Sequence, residues 1–150
     1  MEKEPILVML VGLPGCGKST YADKLSQDDY KVFSSDAIRI ELLGNVQDNS
    51  KNALIFDTLH KRLTDALSNG QNCIYDATNV YKPGRIRFLE SIKNIKCKKK
   101  CVVFDVDVAT CKERNKNRDR QVPDEVYDKM LSYYIAPDKE EGWDEIEIVK

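Results

Sequence analysis

The side chains of this sequence best suited to chemistry are a lysine and a serine standing directly after a glycine-rich turn. Gly12-Leu13-Pro14-Gly15-Cys16-Gly17-Lys18-Ser19-Thr20 has the spacing GxxxxGK[ST]. Its glycines let the backbone curl until successive N–H groups point inward. A helix opening at Lys18 would aim its positive end at the same spot. Such a loop cradles phosphate. Lys18 would hold the β and γ phosphates of ATP, and Ser19 can put its hydroxyl on Mg²⁺ bridging the same oxygens. Cys16 occupies a variable position of the loop and is read as a small tolerated residue.

A cradle alone does not say what becomes of the phosphate. A regulatory GTPase needs Asp-x-x-Gly, whereas Asp76-Ala77-Thr78-Asn79 lacks the glycine. It also needs Asn-Lys-x-Asp, and Asn115-Lys116-Asn117-Arg118 has arginine in the last place. Phosphoryl transfer to a hydroxyl instead calls for a carboxylate near the γ-phosphate, at the carboxyl end of a neighbouring strand. Asp36 is so placed in Val32-Phe33-Ser34-Ser35-Asp36-Ala37-Ile38-Arg39. The spacing of three puts Asp36 and Arg39 on one helix face, where an acid and a base are expected to face the cleft. The same stretch is compatible with Ser35 or Asp36 capping the helix. Asp76, ending another strand, could serve Mg²⁺ through water or line the acceptor pocket.

These residues require strands that end together and helices that start there. Five short runs rich in β-branched residues, at 6–11, 30–34, 72–76, 100–105 and 145–149, alternate with helical patterns. That alternation predicts an α/β fold, one P-loop kinase domain over residues 1–150. Its parallel sheet of about five strands has helices on both faces and the last strand at an edge. Helices are expected at 18–26, 36–43, 50–69, 84–95, 110–117 and 124–134. Over 50–69 the stripe Phe56, Leu59, Leu63, Ala66 and Leu67 marks a structural helix, in which His60 is a packing or surface residue. Trp143 is expected to close the core. Asp105-Val106-Asp107 imitates the Asp-x-Asp of haloacid-dehalogenase phosphatases, but Ala109 breaks that signature and Asp107 reads as a helix cap.

The 24 Lys and Arg nearly balance 25 Asp and Glu, so overall charge does not mark a dedicated nucleic-acid binder. Distribution matters more. Residues 81–120 carry thirteen basic and five acidic residues, net +8, and residues 121–150 three and nine, net −6, so a basic face is expected. Lys96 to Lys100 is read as a solvated helix-to-strand turn. The five cysteines lack Cys-x-x-Cys spacing and are expected to be reduced thiols. The first apolar run is too short for a membrane span, and the chain is expected to be cytoplasmic.

Four patches carry a family resemblance: residues 12–20, Ser35-Asp36-Ala37-Ile38-Arg39, Tyr75-Asp76-Ala77-Thr78-Asn79, and Arg114-Asn115-Lys116-Asn117-Arg118 followed by Val122-Pro123. Together they resemble the 5′-hydroxyl polynucleotide kinases, in particular the kinase module of the bacteriophage type. The resemblance implies ATP as donor, a 5′-hydroxyl end of RNA or DNA as acceptor and Asp36 as general base. It makes Arg39 a contact to the acceptor's phosphate, Asp76 a carboxylate of the acceptor pocket, and Arg114 and Arg118 lid arginines. A spacing of four would put both guanidinium groups on one helix face, over the transferring phosphoryl group. Small-molecule kinases and the kinase acting on seryl-tRNA share part of this pattern and form the alternative, with a non-catalytic nucleotide-binding module as a third class. Oligomeric state is left open.

Overall fold

A computed structural model of the chain describes residues 4–46, 48–118 and 121–150. Five strands, β1 (Ile6–Val11), β2 (Tyr30–Ser34), β3 (Asn72–Asp76), β4 (Lys98–Phe104) and β5 (Glu145–Val149), form one sheet in the order β2-β3-β1-β4-β5. All neighbours are parallel. As expected, β5 is an edge strand.

Alternation along β1 explains the layering. Leu7, Met9 and Val11 enter one apolar cluster while Val8 and Leu10 enter the other, because successive side chains of a strand point to opposite faces. The first cluster packs under α2 (Ser35–Leu43), α3 (Asn52–Ser68) and α4 (Lys82–Ser91). The second packs under α1 (Lys18–Ser26), α5 (Val108–Lys116) and α6 (Asp124–Tyr133). Met130 and the chain after α6 reach across to the first cluster. Ile55, Leu59, Leu63 and Leu67, one turn apart on α3, are all buried. Each contributes roughly 1.5–3 kcal/mol of apolar burial. Ile55 thus takes the place expected of Phe56, which is only partly covered. Trp143 is buried and donates Nε1–H to Glu141 Oε1 at 3.2 Å. His60 packs among Phe56, Tyr75 and Phe88 and meets the Tyr75 hydroxyl at 2.7 Å; burial lowers its pKa.

One expectation fails at Lys98 and Lys99: they do not form a turn but open β4, two residues ahead of the expected start at Lys100, because helix α4 ends at Ser91 and successive i→i−3 bonds turn the chain by Ile95. Part of the +8 segment is met by the acidic segment among the described residues. The acidic segment folds onto it, pairing Arg85 with Glu141 at 2.9 Å, Lys98 with Glu145 and Lys100 with Glu147 at 3.4 Å, and Lys82 with Asp138 at 3.6 Å. The exposed pairs among these add little stability, but they do offset the positive charge.

Strand register positions the chemistry. Ser34 on β2 is level with Asp76 on β3, so Asp36 begins its helix beside the end of the strand that carries Asp76. β1 ends at Val11, and Gly12 N–H donates to the Thr78 carbonyl at 2.9 Å, tying the start of the glycine loop to the loop after β3. Among the described residues no helix is long and apolar enough to cross a membrane.

Candidate active site

The glycine loop leads into α1 with Gly17 as N-cap at φ 103°, a conformation glycine adopts without a Cβ penalty. Gly15 is more constrained. It sits at φ 83°, and a Cβ there would lie 2.4 Å from the Cys111 carbonyl oxygen of α5. Gly15→Ala should therefore destabilise the fold by on the order of 2 kcal/mol, the sum of left-handed strain and backbone contact. Thermal melting measures it; an unchanged midpoint would mean that the loop and α5 separate at little cost. Tyr127 of α6 supports the same loop by donating its hydroxyl to the Pro14 carbonyl at 2.7 Å.

Lys18 is 8% exposed and donates Nζ–H to the carbonyls of Gly12 and Leu13, both at 2.8 Å, with Cys16 Sγ at 3.5 Å. Its ammonium is thus held across the loop it follows. Gly12 and Leu13 serve through these carbonyls, and the Leu13 side chain belongs to the core. Pro14, Gly15, Cys16, Gly17, Lys18, Ser19 and Thr20 line a cleft of about 700 Å³ together with Asp36, Asp76, Arg114 and Arg118. Cys73, Cys97, Cys101 and Cys111 are buried free thiols whose pKa is raised chiefly by burial, to about 12 for Cys73 and Cys101 and about 11 for Cys111. Those four are unsuited to nucleophilic work.

Asp36 does not cap α2. Ser34 is the N-cap, accepting from Ala37 N–H at 3.2 Å, which leaves the Asp36 carboxylate to the cleft. Arg39 donates Nη1–H to Asp36 Oδ1 at 2.9 Å and Nη2–H to Asn52 Oδ1 of α3 at 3.1 Å. On the other side, Arg118 Nη2 stands 3.9 Å from Asp36 Oδ2. The expectation that Arg39 faces the cleft beside Asp36 is not met. Arg39 is 4% exposed and does not line the cleft; its guanidinium is turned to Asp36 and to Asn52 of α3.

Asp76 accepts from the Ser19 hydroxyl at 3.4 Å. Burial pushes its pKa up; the Lys18 charge opposes that shift and the Asp36 charge adds to it. A buried carboxylate beside a hydroxyl is a pair of hard oxygen donors, the kind Mg²⁺ takes, and a cation there would relieve the desolvated charge. Ser19 and Asp76 therefore fit that metal.

Arg114 reaches over the loop, its Nη1 lying 3.7 Å from where a Gly17 Cβ would stand. The two lid arginines do not share a helix. Helix α5 ends at Lys116, where Asn117 and Arg118 N–H turn to i−3 carbonyls, so Arg118 sits on the following turn yet still enters the cleft. Asp119 and Arg120, the end of the arginine-rich stretch, lie outside the described residues. Asn115 holds that turn, donating to and accepting from Val122 at 2.8 and 2.9 Å. As expected, Asp107 caps α5, accepting from Thr110 N–H at 2.8 Å.

Sequence reasoning missed the apolar end of the cleft. Tyr21, Phe104, Val106 and Val149 line it, with Tyr21 edge-on to Phe104 at 5.6 Å between ring centres. Burial and Glu147 push the Tyr21 hydroxyl up to about 12, keeping it neutral. A flat apolar group attached to phosphates fits that end. The residues come from three separate elements, and no local pattern joins them.

The family match spans residues 7–137 and is to the AAA domain family, AAA_33. The chain belongs to that family. This AAA domain is 26% identical over 145 residues to the L-seryl-tRNA(Sec) kinase of Methanococcus maripaludis, which covers 93% of the chain and 56% of that protein. The chain thus spans about half the length of its curated relative. A chain of the Pnkp1/Rnl/Hen1 complex is 26% identical with a TM-score of 0.67, covering 76% of this chain and 40% of that one. Kti12 of Chaetomium thermophilum, in complex with ADP-AlF3, shares the fold at 18% identity and a TM-score of 0.74, covering 95% and 88%. The fold is that of P-loop kinases, and the polynucleotide-kinase-like resemblance of the four sequence patches holds at the level of family.

Proposed function

We propose that this AAA domain transfers the γ-phosphate of ATP to a 5′-hydroxyl end of RNA or DNA. The observation that carries the transfer reading is the single cleft shared by Lys18, Asp36, Arg114 and Arg118, with Asp36 bonded to Arg39 behind it. A bare nucleotide-binding module would need no such carboxylate. In the reaction, Asp36 accepts the proton of the acceptor hydroxyl as its oxygen bonds to the γ-phosphorus. The bond from phosphorus to the β–γ bridging oxygen breaks and ADP leaves. Lys18, Arg114 and Arg118 offset the charge on the transferring group, and Arg39 orients Asp36. Ser19 and Asp76 would hold Mg²⁺, which would supply further neutralisation of the phosphate charge. The apolar end lined by Tyr21 and Phe104 suits the adenine.

The acceptor class rests on the four sequence patches and on similarity to the chain of the Pnkp1/Rnl/Hen1 complex. Arg39→Ala should lower kcat on a 5′-hydroxyl oligonucleotide by on the order of tenfold, since Asp36 loses its partner. ATP affinity should barely change. If the acceptor is a polynucleotide end, the wild-type chain should prefer a 3′-phosphorylated nucleoside to an unphosphorylated one. Added salt should weaken turnover only shallowly, because few phosphates are contacted.

A second reading, phosphorylation of a small-molecule or tRNA-linked hydroxyl, is favoured by the similarity to L-seryl-tRNA(Sec) kinase over 93% of the chain. Equal wild-type activity on both nucleosides, or faster transfer to seryl-tRNA, would promote it.

A further inference from the structure

Arg85 is an arginine in the core. It shares the buried stripe of α4 with Phe88, Leu89 and Ile92, and it is 1% exposed. Every polar group it meets is engaged with good geometry. Nε and Nη2 donate to the two oxygens of Glu141, both at 2.9 Å, a bidentate pair. Nη1 donates to the Asn79 carbonyl at 2.9 Å and Nη2 to the Ile135 carbonyl at 2.7 Å. Glu141 is held in turn by Trp143 Nε1 and the Asp138 N–H.

Neither carbonyl lines the cleft; Asn79 directly follows Thr78, which does, and Ile135 follows a helix that backs the glycine loop. Asn79, at φ 51°, lies in the loop that follows Asp76 of β3, after Ala77 and Thr78; its amide donates to the Leu10 carbonyl at 2.9 Å, and Thr78 accepts from Gly12. Ile135 follows α6, the helix that supports Pro14 through Tyr127 and adjoins the lid turn through Val122. One guanidinium therefore ties the loop behind the Asp76–Thr78 wall to the segment after α6, the helix that backs the glycine loop and adjoins the lid turn. Burying an ion pair is poor value for stability alone, since apolar residues of similar volume do as well or better. Geometry is what such a pair can add.

We propose that Arg85, locked by Glu141, is a positioning residue for phosphoryl transfer: it sets the Asp76–Thr78 wall relative to the glycine loop and the lid. This rests on the kinase reading above. Phosphoryl transfer is sensitive to such placement, because a small misalignment of acceptor and donor lowers the rate without altering either binding site.

The test replaces both charges at once in the full chain. Arg85→Met with Glu141→Leu strands no buried charge, so melting should stay within about 5 °C of wild type. Yet kcat on a 5′-hydroxyl oligonucleotide should fall at least about tenfold, with ATP affinity, measured without turnover, changing less than about twofold. Hydrogen exchange at the Gly12 amide should quicken by at least about tenfold while that of Val102 in β4 is unchanged. If the double variant does not fold, Asn79→Gly keeps the positive φ and the carbonyl but removes the tie to Leu10. It should give the same split, with kcat lowered at least about threefold. A folded variant with wild-type kcat and unchanged Gly12 exchange overturns the positioning role. A wild-type chain that binds ATP but phosphorylates no acceptor instead overturns the kinase reading, and the role of Arg85 in transfer falls with it.

Discussion

Lys18→Ala should abolish nearly all turnover at saturating ATP, a loss on the order of a thousandfold. The ammonium is buried, held by two carbonyls of its own loop, and lies beside the cleft that Asp36 and Arg118 share. A cation in that setting acts through little water, so its effect on phosphoryl charge is large. Alanine leaves the glycine conformations untouched, and folding should survive. The measurement is single-turnover transfer from labelled ATP, with circular dichroism as the control. Turnover near the wild-type rate in a folded variant would remove Lys18 from the reaction and the P-loop reading with it.

Asp36→Asn should lower kcat by on the order of a hundredfold while ATP affinity is retained. Asparagine keeps an oxygen for the Arg39 Nη1–H bond and keeps the Ser34 cap, so the local structure has no reason to move. What it loses is a site for the acceptor's proton. Rate and ATP affinity measured on the same preparation separate the outcomes. A collapse of ATP affinity with the rate per bound ATP preserved would assign Asp36 to the nucleotide site.

The lid arginines gain meaning from this arrangement. Arg118 stands 3.9 Å from the Asp36 carboxylate, so the turn after α5 shares that carboxylate with Arg39. The site therefore depends on the α5–α6 turn as much as on the glycine loop. Asn115, buried and bonded both ways to Val122, is what fixes that turn.

Several elements were legible because their causes are local. The glycine loop, four of the five strands to the residue, and helix α1 follow from glycine spacing, β-branched runs and short-range periodicity, all carried within a dozen residues. The placement of Asp36 at a strand end was readable for the same reason. Where local signals met a distant partner, the reading failed. Lys98 and Lys99 look like part of a solvated turn until β1 pairs beside them and Glu145 meets Lys98. Arg39 looks like a cleft cation until its guanidinium turns to Asn52 of α3. Arg85 left one trace, an arginine standing where Phe88, Leu89 and Ile92 require an apolar residue, and its partner is 56 positions away.

By itself, then, the sequence determined that this chain has a phosphate cradle after its first strand, a parallel α/β sheet, and a carboxylate beside the cradle, because spacing and alternation along the chain dictate each of them. Only the tertiary structure decided the strand order β2-β3-β1-β4-β5, the pairing of part of the basic segment with the acidic one, the apolar end of the cleft, and the Arg85 tie behind it. Those depend on contacts between residues far apart in the chain, which form when burial makes every polar group find a partner, and no window of sequence contains both members of such a pair.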